Sequence, residues 1–257
     1  MNEPRELPPY PPTTILVVEV GSTAHGTGLP GGEDHDETAI WIESAGDVFA
    51  LRDYEKRAIS QRTKPNGVPS EPGDTDRNLY TLRHFLSLAA SGNPSILLVL
   101  WAPVIVRTPI GTDLRTLAPA FVGRHLIPRY RGYMKAQVDR LLGLRGGRHG
   151  AFREDSTGVG YDTKYAMHAA RLGFQGIELL RSRGLVLPIP DPAGSWLRSV
   201  RHGEVSRDEW AARVQSLDDE LASLADDPTI PERADRDRIV EWSVGVHRRV
   251  WRTGEVR

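Results

Sequence analysis

The apolar run at residues 15–20, which ends directly in Gly21-Ser22, is the feature that most constrains the fold of this chain. A near-continuous apolar run of this kind predicts a strand buried on both faces of a sheet, over residues 13–20. Glycine after the strand lets the backbone approach a ligand closely. Ser22 can add a hydroxyl donor and can begin a short helix whose N-terminus favours anions. The sequence therefore predicts a phosphate loop at the edge of a sheet.

Four carboxylates crowd into the five residues from Glu33 to Glu37, which begin eleven residues after Ser22. On a strand edge, Asp34 and Asp36 at positions i and i+2 point to the same face. Two carboxylates on one face suit Mg²⁺, which prefers hard oxygen ligands and also takes oxygens from substrate phosphates. Two such ions could flank an in-line phosphoryl displacement. A solvated acidic turn is the alternative interpretation, and the glycine loop upstream favours the metal site.

Strand patterns stop at about residue 110, and helical patterns continue to the end of the chain. This order predicts an α+β fold with a core at residues 13–109 and a helical subdomain at residues 110–252 that completes the active-site cleft. The proline-rich residues 1–12 are predicted to form a loose arm. An apolar run at residues 95–101 fits a strand or a helix equally well. The predicted strands are 13–20, 37–43 and 48–51, and the predicted helices are 79–90, 112–121, 124–145, 163–182, 206–226 and 232–252.

The composition excludes several classes of protein. Of the 257 residues, 39% are apolar and 26% are charged, which provides a sizeable core and argues against disorder. The net charge of -1 creates no global field for nucleic acid, so any such attraction must be local. There is no cysteine, hence no disulfide framework and no thiolate metal site. Because no signal segment or membrane-length run is present, we expect a soluble cytoplasmic protein.

Gly-Ser, a short spacer and Asp-x-Asp after an apolar strand resemble the DNA polymerase β-like nucleotidyltransferase superfamily. The longer string GSTAHGTGLPGGEDHDE resembles one branch of it, the predicted bacterial and phage nucleotidyltransferases associated with RNA repair. The resemblance continues through YTLRHFLSLAASGNPSILLVLW, YRGYMKAQVDRL, GYDTKYAMHAARL and WLRSVRHGEVSRDEW, so it covers about residues 15 to 250. It implies a small mixed-sheet core like the polymerase β palm, followed by a helical subdomain.

The resemblance also implies roles for individual acidic residues. Superfamily members use a third carboxylate on a neighbouring strand, and its counterpart here is Asp76, with Asp74 as the alternative. His35 stands where an apolar residue is usual, and Glu33 replaces a small hydroxyl residue, but neither change removes a ligand. The expected cofactor is a pair of Mg²⁺ ions, with Mn²⁺ as an alternative. The predicted catalytic and metal-binding residues are Asp34, Asp36 and Asp76.

Two groups of residues are expected to bind the NTP substrate. Gly21 and Ser22 would hold the β- and γ-phosphates. His25 could touch the substrate, although a histidine hydrogen-bonded within the loop fits equally well. A second group lies at helical spacing on one face and could contact the triphosphate or an acceptor. This second group consists of Lys164, His168 and Arg171. A solvated face is the alternative, but the sequence block around these residues resembles the family.

Residues 123–148 contain seven Arg or Lys against one acid, which leaves a local charge of +6. A polyphosphate or an RNA backbone would explain this charge. A solvated helix with acidic neighbours elsewhere would explain it too. Tyr130 and Tyr133 lie in this segment and could stack on a base, although aromatic residues in helices more often belong to the core.

These patterns predict a Mg²⁺-dependent nucleotidyltransferase. It would transfer a nucleoside monophosphate from an NTP to an acceptor hydroxyl and release pyrophosphate. An RNA end is the favoured acceptor, and a protein hydroxyl or a small molecule are the alternatives. A rival from another class is a catalytically silent nucleotide- or RNA-binding protein of the same fold, such as an antitoxin-like relative. The choice of NTP and the oligomeric state are left open by the sequence.

Overall fold

The protein is described here by a computed structural model that covers residues 6–28, 35–49, 57–64, 73–144 and 160–256. It consists of two compact units. The first unit comprises residues 1–121 and 235–257, and the second comprises residues 122–234. All of the described strands lie in the first unit, whereas the described secondary structure of the second unit is helical. The predicted α+β class is therefore confirmed.

The unit boundaries differ from the sequence boundary between residues 109 and 110. The division falls after Phe121, and the last helix of the chain belongs to the first unit. This helix returns to the sheet unit, where Nε1 of Trp251 donates a hydrogen bond to the Glu43 carbonyl at 2.8 Å. Sequence order alone cannot show such a return. The division of labour between a catalytic core and a helical subdomain stays a prediction.

A five-stranded mixed sheet in the order β3-β4-β2-β1-β5 forms the first unit. β2 and β4 run parallel, and the other neighbouring pairs are antiparallel. Residues 15–18 of the first strand are fully buried, which confirms that both faces of this strand are covered. The strands are β1 Thr14–Val20, β2 His35–Trp41, β3 Ala58–Arg62, β4 Thr75–Thr81 and β5 Val104–Arg107.

Short helices are interspersed with the strands up to β5, and the described secondary structure after β5 is helical. Short 3-10 turns occur at Leu98–Leu100, Ala118–Phe121 and Leu224–Asp226. No described helix combines the length and the apolar character that a membrane span requires. The helices are α1 Gly21–His25, α2 Ala45–Phe49, α3 Leu82–Ala90, α4 Pro94–Leu97, α5 Pro109–Thr116, α6 Leu126–Leu141, α7 Thr163–Ser182, α8 Ala193–His202, α9 Arg207–Ser223 and α10 Arg236–Thr253.

The prediction of a loose N-terminal arm is wrong for the described residues of that arm. The Tyr10 hydroxyl donates to Oε2 of Glu37 at 2.6 Å. The Arg77 guanidinium lies 3.8 Å from the centre of the Tyr10 ring. The Tyr10 ring also packs on the cluster of Val17, Ala39 and Leu79. These contacts attach the arm to the sheet.

The predicted strand at residues 48–51 is wrong for residues 48 and 49, because Ala45–Phe49 form α2, and residues 50 and 51 lie outside the described residues. A capping box starts this helix. The Asp47 N–H donates to the Ser44 hydroxyl at 3.1 Å, and the Ser44 N–H donates to the Asp47 carboxylate at 3.3 Å. Reciprocal capping of this kind satisfies backbone donors at a helix start, and here it outweighs the short apolar pattern.

The structure contains β3, β4 and α8, which the sequence analysis does not predict. β3 has a single apolar residue with strong strand preference, Ile59, so its alternation is weak. β4 ends in apolar residues that are predicted as the start of the helix 79–90. The helix starts at Leu82 instead, because the Thr81 hydroxyl accepts the His84 N–H at 3.3 Å. The unassigned run at 95–101 forms α4 and a 3-10 turn.

α7 is the central helix of the second unit, and its bounds match the predicted helix at residues 163–182. Two glycines allow close packing on this helix. A Cβ at Gly173 would lie 2.8 Å from Cβ of Leu217 on α9, and one at Gly176 would lie 2.9 Å from the Tyr130 ring on α6. The buried apolar residues of α9 are Trp210, Val214, Leu217 and Leu221, which lie at helical spacing on one face.

Candidate active site

Asp36 and Asp76 lie side by side on two parallel strands. β2 and β4 are in register, so that Asp36 pairs with Asp76. Neighbouring strands are about 4.8 Å apart, and residues paired across a parallel ladder point to the same face. The structure therefore brings together the second aspartate of the Asp-x-Asp motif and the predicted third carboxylate. Asp34 lies outside the described residues, so its place in this group stays a prediction.

Gly21 provides the space in which the Asp36 carboxylate lies. It follows β1 directly and has a φ of +75°, a conformation that glycine adopts without steric cost. Val20 pairs with Asp36 across β1 and β2, and a Cβ on Gly21 would overlap Oδ2 of Asp36. Ser22 follows in the predicted short helix α1. The glycine loop is thus built against the acidic strand, while its phosphate-binding role stays a prediction.

The structure distinguishes the two candidates for the third carboxylate by their position. Asp76 pairs in register with Asp36, and its Oδ2 lies 2.6 Å from Nη2 of Arg62 on β3. Asp74 precedes the strand and is buried, with an ion pair to Lys64 at 3.0 Å and a hydrogen bond from the Thr63 hydroxyl at 3.2 Å. Position in the sheet favours Asp76 as the neighbour of Asp36.

Glu37, the other described carboxylate of the acidic run, is neutralised on the opposite side of the strand. Side chains alternate along β2, so His35 and Glu37 point away from Asp36. Oε2 of Glu37 accepts a hydrogen bond from Nε of Arg77 at 2.9 Å in addition to that from Tyr10. His35 places Nδ1 3.5 Å from the Glu19 carboxylate. The negative charges of Asp36 and Glu37 therefore lie on opposite faces of the sheet, and His35 lies on the Glu37 face.

His25 is almost fully buried at the end of α1, with 3% of its surface exposed. A side chain with so little exposure is held mainly by protein neighbours. This placement is compatible with the alternative of a histidine bound within the loop. Substrate contact by His25 stays a prediction.

The second predicted NTP-binding group shares one face of α7, as its spacing indicates. Lys164 is exposed, and the Arg171 guanidinium donates to Oε1 of Gln175 at 3.1 Å. Burial also lowers the pKa of Arg171 to about 10. His168 is a neutral imidazole in a cationic environment that would attract an anion. Its pKa is lowered to about 3, chiefly by burial and in addition by the charges of Arg171, Lys164, Arg201 and Arg140.

Part of the predicted basic segment is neutralised within the second unit. Arg131 makes a bidentate pair with Asp218, with both distances 2.7 Å. Lys135 pairs with Asp139 at 2.8 Å. Tyr130 is buried in the core. The segment itself contains one acid, Asp139. A second acid, Asp218 on α9, reaches the segment from outside and neutralises Arg131.

Arg124 precedes α6 and donates to the Ala225 carbonyl at 3.0 Å. The two other described basic residues define a narrower exposed face of α6. Arg129, Tyr133 and Arg140 lie at spacings that bring them to one side of the helix, and all three are exposed. Neither arginine makes an ion pair with another residue in the described part of the chain. Arg145 and Arg148 lie outside that part. We call Arg129, Tyr133 and Arg140 the α6 basic face.

Comparison with known proteins identifies the family. A family model described as "RNA repair pathway DNA polymerase beta family" (RlaP) matches residues 9–222. The chain belongs to this family. The resemblance to polymerase β-like nucleotidyltransferases that the Gly-Ser and Asp-x-Asp motifs indicate is thereby confirmed.

Individual relatives are more distant. The chain is similar to a protein of Enterobacteria phage T4 described as an uncharacterized 38.9 kDa protein in the nrdC-mobD intergenic region, with 27% identity over 146 residues. The match covers 55% of this chain and 42% of the phage protein, so this chain spans less than half of that relative. A nucleotidyltransferase-like protein from Exiguobacterium sibiricum 255-15 is similar in structure, with a TM-score of 0.30 and 12% identity. That alignment covers 93% of this chain and 75% of the other.

Sequence reasoning missed two arginines that contact the acidic strands of this family member. Arg62 pairs with Asp76, and Arg77 pairs with Glu37. Arg77 directly follows Asp76 in the sequence, and neighbouring residues of a strand point to opposite faces of the sheet. A prediction of β4 would therefore have placed Arg77 on the face opposite Asp76. Arg62 gave no such signal, because its contact depends on the pairing of β3 with β4.

Proposed function

We propose that this family member is a Mg²⁺-dependent nucleotidyltransferase that transfers a nucleoside monophosphate from an NTP to the hydroxyl of an RNA end and releases pyrophosphate. The observation that carries the proposal is the pairing of Asp36 with Asp76 beside Gly21. Two adjacent carboxylates beside a glycine loop suit a hydrated cation and a phosphate.

The donor chemistry of this site fits Mg²⁺. Asp36 and Asp76 supply hard carboxylate oxygens on one face, and we propose that Asp34 supplies a third carboxylate. Within the described residues, no group of three or more His, Asp or Glu forms a metal cluster, and Asp34 lies outside those residues. When bound, Mg²⁺ would offset the charge of the triphosphate and lower the pKa of the attacking hydroxyl.

The chain's own residues then have distinct roles in the proposed reaction. Gly21 and Ser22 hold the β- and γ-phosphates, so that the α-phosphate faces the aspartates. The acceptor oxygen forms a bond to the α-phosphorus, and Asp76 accepts the proton of that hydroxyl. The bond between the α-phosphorus and the bridging oxygen breaks, and its electron pair leaves with pyrophosphate.

The second unit supports a role in binding polyanions. The environment of His168 carries several cations, and Lys164 is exposed beside it. We assign this α7 group to the triphosphate or to the acceptor. The α6 basic face offers two arginines without ion-pair partners in the described chain and an aromatic ring. Arginines of this kind contact RNA phosphates, and an exposed ring stacks on bases.

A binding experiment tests the nucleotide site. Mg·ATP is titrated calorimetrically into the wild type, Asp36→Asn, and Asp113→Asn as a matched control, because Asp113 is exposed on α5 of the same unit. We expect Asp36→Asn to lose Mg²⁺-dependent binding and Asp113→Asn to retain it. Equal binding by all three proteins would remove Asp36 from the site.

The salt dependence of RNA binding tests the acceptor. Each phosphate contact of single-stranded RNA contributes about -0.7 to the log–log slope. The pair Arg129→Gln and Arg140→Gln removes the two α6 cations that have no ion-pair partner among the described residues, and it should flatten the slope by about 1.4. The matched pair Arg131→Gln and Lys135→Gln removes cations that already have carboxylate partners, so it should change the slope little. Equal slopes for both pairs and the wild type would favour a protein or small-molecule acceptor.

One observation favours a catalytically silent nucleotide- or RNA-binding protein as the second candidate. The Arg62 guanidinium already lies on the Asp76 carboxylate at 2.6 Å, where it can substitute for a metal cation. A silent protein would bind NTP without Mg²⁺ and would transfer nothing. The calorimetric titration with and without Mg²⁺ separates this candidate from the enzyme.

A further inference from the structure

An open cavity of about 660 Å³ lies within the second unit, among α7, α8, α9 and the turn at residues 189–192. Sites for small molecules commonly have volumes of about 300–1,000 Å³. Two partly exposed aromatic rings line it, Phe174 and Trp196, which stand edge to face with ring centres 6.0 Å apart. Its apolar floor consists of the buried side chains of Ile177, Ile189 and Leu217.

Most charged groups around the cavity are held by the protein itself. Nη1 of Arg181 lies 2.7 Å from the Glu220 carboxylate and joins α7 to α9. The Asp191 carboxylate accepts the Ser195 N–H at 2.7 Å and so fixes the start of α8. These contacts leave two charged side chains of the lining to act on a ligand, namely Glu178 and Arg213.

Glu178 and Arg213 have complementary chemistry. Oε1 of Glu178 accepts the Val186 N–H at 2.9 Å, and burial raises the pKa of this carboxyl group. A half-buried carboxylate of this kind gains from further N–H donors. The Arg213 guanidinium lies 5.1 Å from the centre of the Phe174 ring, is exposed, and makes no ion pair within the described chain. It can therefore reach a phosphate at the mouth of the cavity.

We propose that this cavity binds a nucleobase of the RNA acceptor, with guanine preferred and uracil disfavoured. A planar base can stack on Trp196 while Arg213 contacts its phosphate. Guanine presents two adjacent N–H donors that a carboxylate can accept together. Uracil presents a single N–H donor, at N3, between two carbonyl oxygens that the Glu178 carboxylate repels. An apolar peptide would leave Glu178 and Arg213 unused, and a phosphate alone would not use the aromatic rings.

This inference rests on the proposed RNA acceptor, but its test does not require transfer activity. Binding of GMP and UMP is measured calorimetrically in EDTA, which disables any Mg²⁺-dependent NTP site. We expect GMP to bind the wild type about tenfold or more tightly than UMP. Trp196→Ala should weaken GMP binding by about 10- to 100-fold, and Trp242→Ala on α10 should not change it.

The near-isosteric variant Glu178→Gln preserves side-chain shape and addresses base choice alone. It should remove most of the preference for GMP over UMP, whereas the matched control Glu209→Gln on α9 should retain the preference. Melting curves of all variants verify that they are folded. If Glu178→Gln keeps the full preference, or if an arginine-rich peptide binds this cavity and GMP does not, the inference is overturned.

The outcome also separates this inference from the proposed function. Nucleotide transfer together with GMP binding that is insensitive to Trp196→Ala and Glu178→Gln would remove the cavity from the acceptor site only. GMP binding that depends on both residues, without transfer to any acceptor, would refute the proposed reaction but retain a base-binding site. Absence of GMP binding to the folded wild type would overturn the inference directly.

Discussion

Gly21→Ala tests how closely the glycine loop is built against the acidic strand. Gly21 has a φ of +75°, and a side chain there would overlap Oδ2 of Asp36. A left-handed backbone costs an L-residue about 1–2 kcal/mol, and each kcal/mol lowers Tm by about 2–4 °C for a chain of roughly this size. The carboxylate must also move by about 1 Å to restore van der Waals separation. A displacement of about that size costs on the order of 100-fold in rate.

Gly254→Ala is the matched control for this prediction. Gly254 has nearly the same φ, +70°, but a Cβ there would meet no atom within 4 Å. Both variants should therefore lose a similar amount of stability, measured by thermal unfolding. Nucleotide transfer and Mg·NTP binding should fall only in Gly21→Ala. Full activity in a folded Gly21→Ala protein would refute the proposal that the loop and Asp36 form one site.

Two further predictions concern ionic contacts in the first unit. Arg62→Gln should change the free energy of unfolding by less than about 1 kcal/mol. It should also lower the Mg²⁺ concentration that half-saturates Mg·NTP binding, because the guanidinium no longer competes for Asp76. An unchanged half-saturating Mg²⁺ concentration would contradict this prediction. Burial lowers the pKa of His247, but the Glu43 carboxylate 3.6 Å from Nε2 and the hydrogen bond to the Ser243 carbonyl outweigh it, so the pKa is raised overall. The stabilisation by this ion pair is thus present below the unfolded pKa of about 6.5 and is lost as pH rises through the folded pKa. The Tm advantage of the wild type over His247→Gln should therefore shrink with rising pH. An advantage that grows with pH would refute the ion pair.

The sequence predicted those parts of the fold whose signals are local. The apolar run of β1 and the helical patterns of α7 and α9 each depend on one segment of the chain, and the strand and both helices are confirmed. β3 and the start of β4 are polar, and their pairing partners supply the stability that their own residues do not show. The capping box at Ser44 and Asp47 explains why a short apolar pair became part of a helix.

The candidate site was predictable only where its residues are close in sequence or fit the family pattern. Gly21 and Asp36 meet because β1 and β2 pair, and Asp76 joins them through the parallel register of β4. Contacts with Arg62 could not be predicted, because they require a strand that the sequence does not reveal. The same limit applies to Arg131, whose partner Asp218 is distant in the chain.

The position of a radiolabel tests the central proposal most directly. The protein is incubated with Mg²⁺, a pool of RNA, and ATP, GTP, CTP or UTP labelled at either the α- or the γ-phosphate. We predict that α-label enters RNA and that γ-label appears in pyrophosphate, and that both signals vanish in Asp36→Asn and Asp76→Asn but persist in Asp113→Asn. Transfer of γ-label to the acceptor, or α-label incorporation that survives both aspartate substitutions, would contradict nucleotidyl transfer at this site.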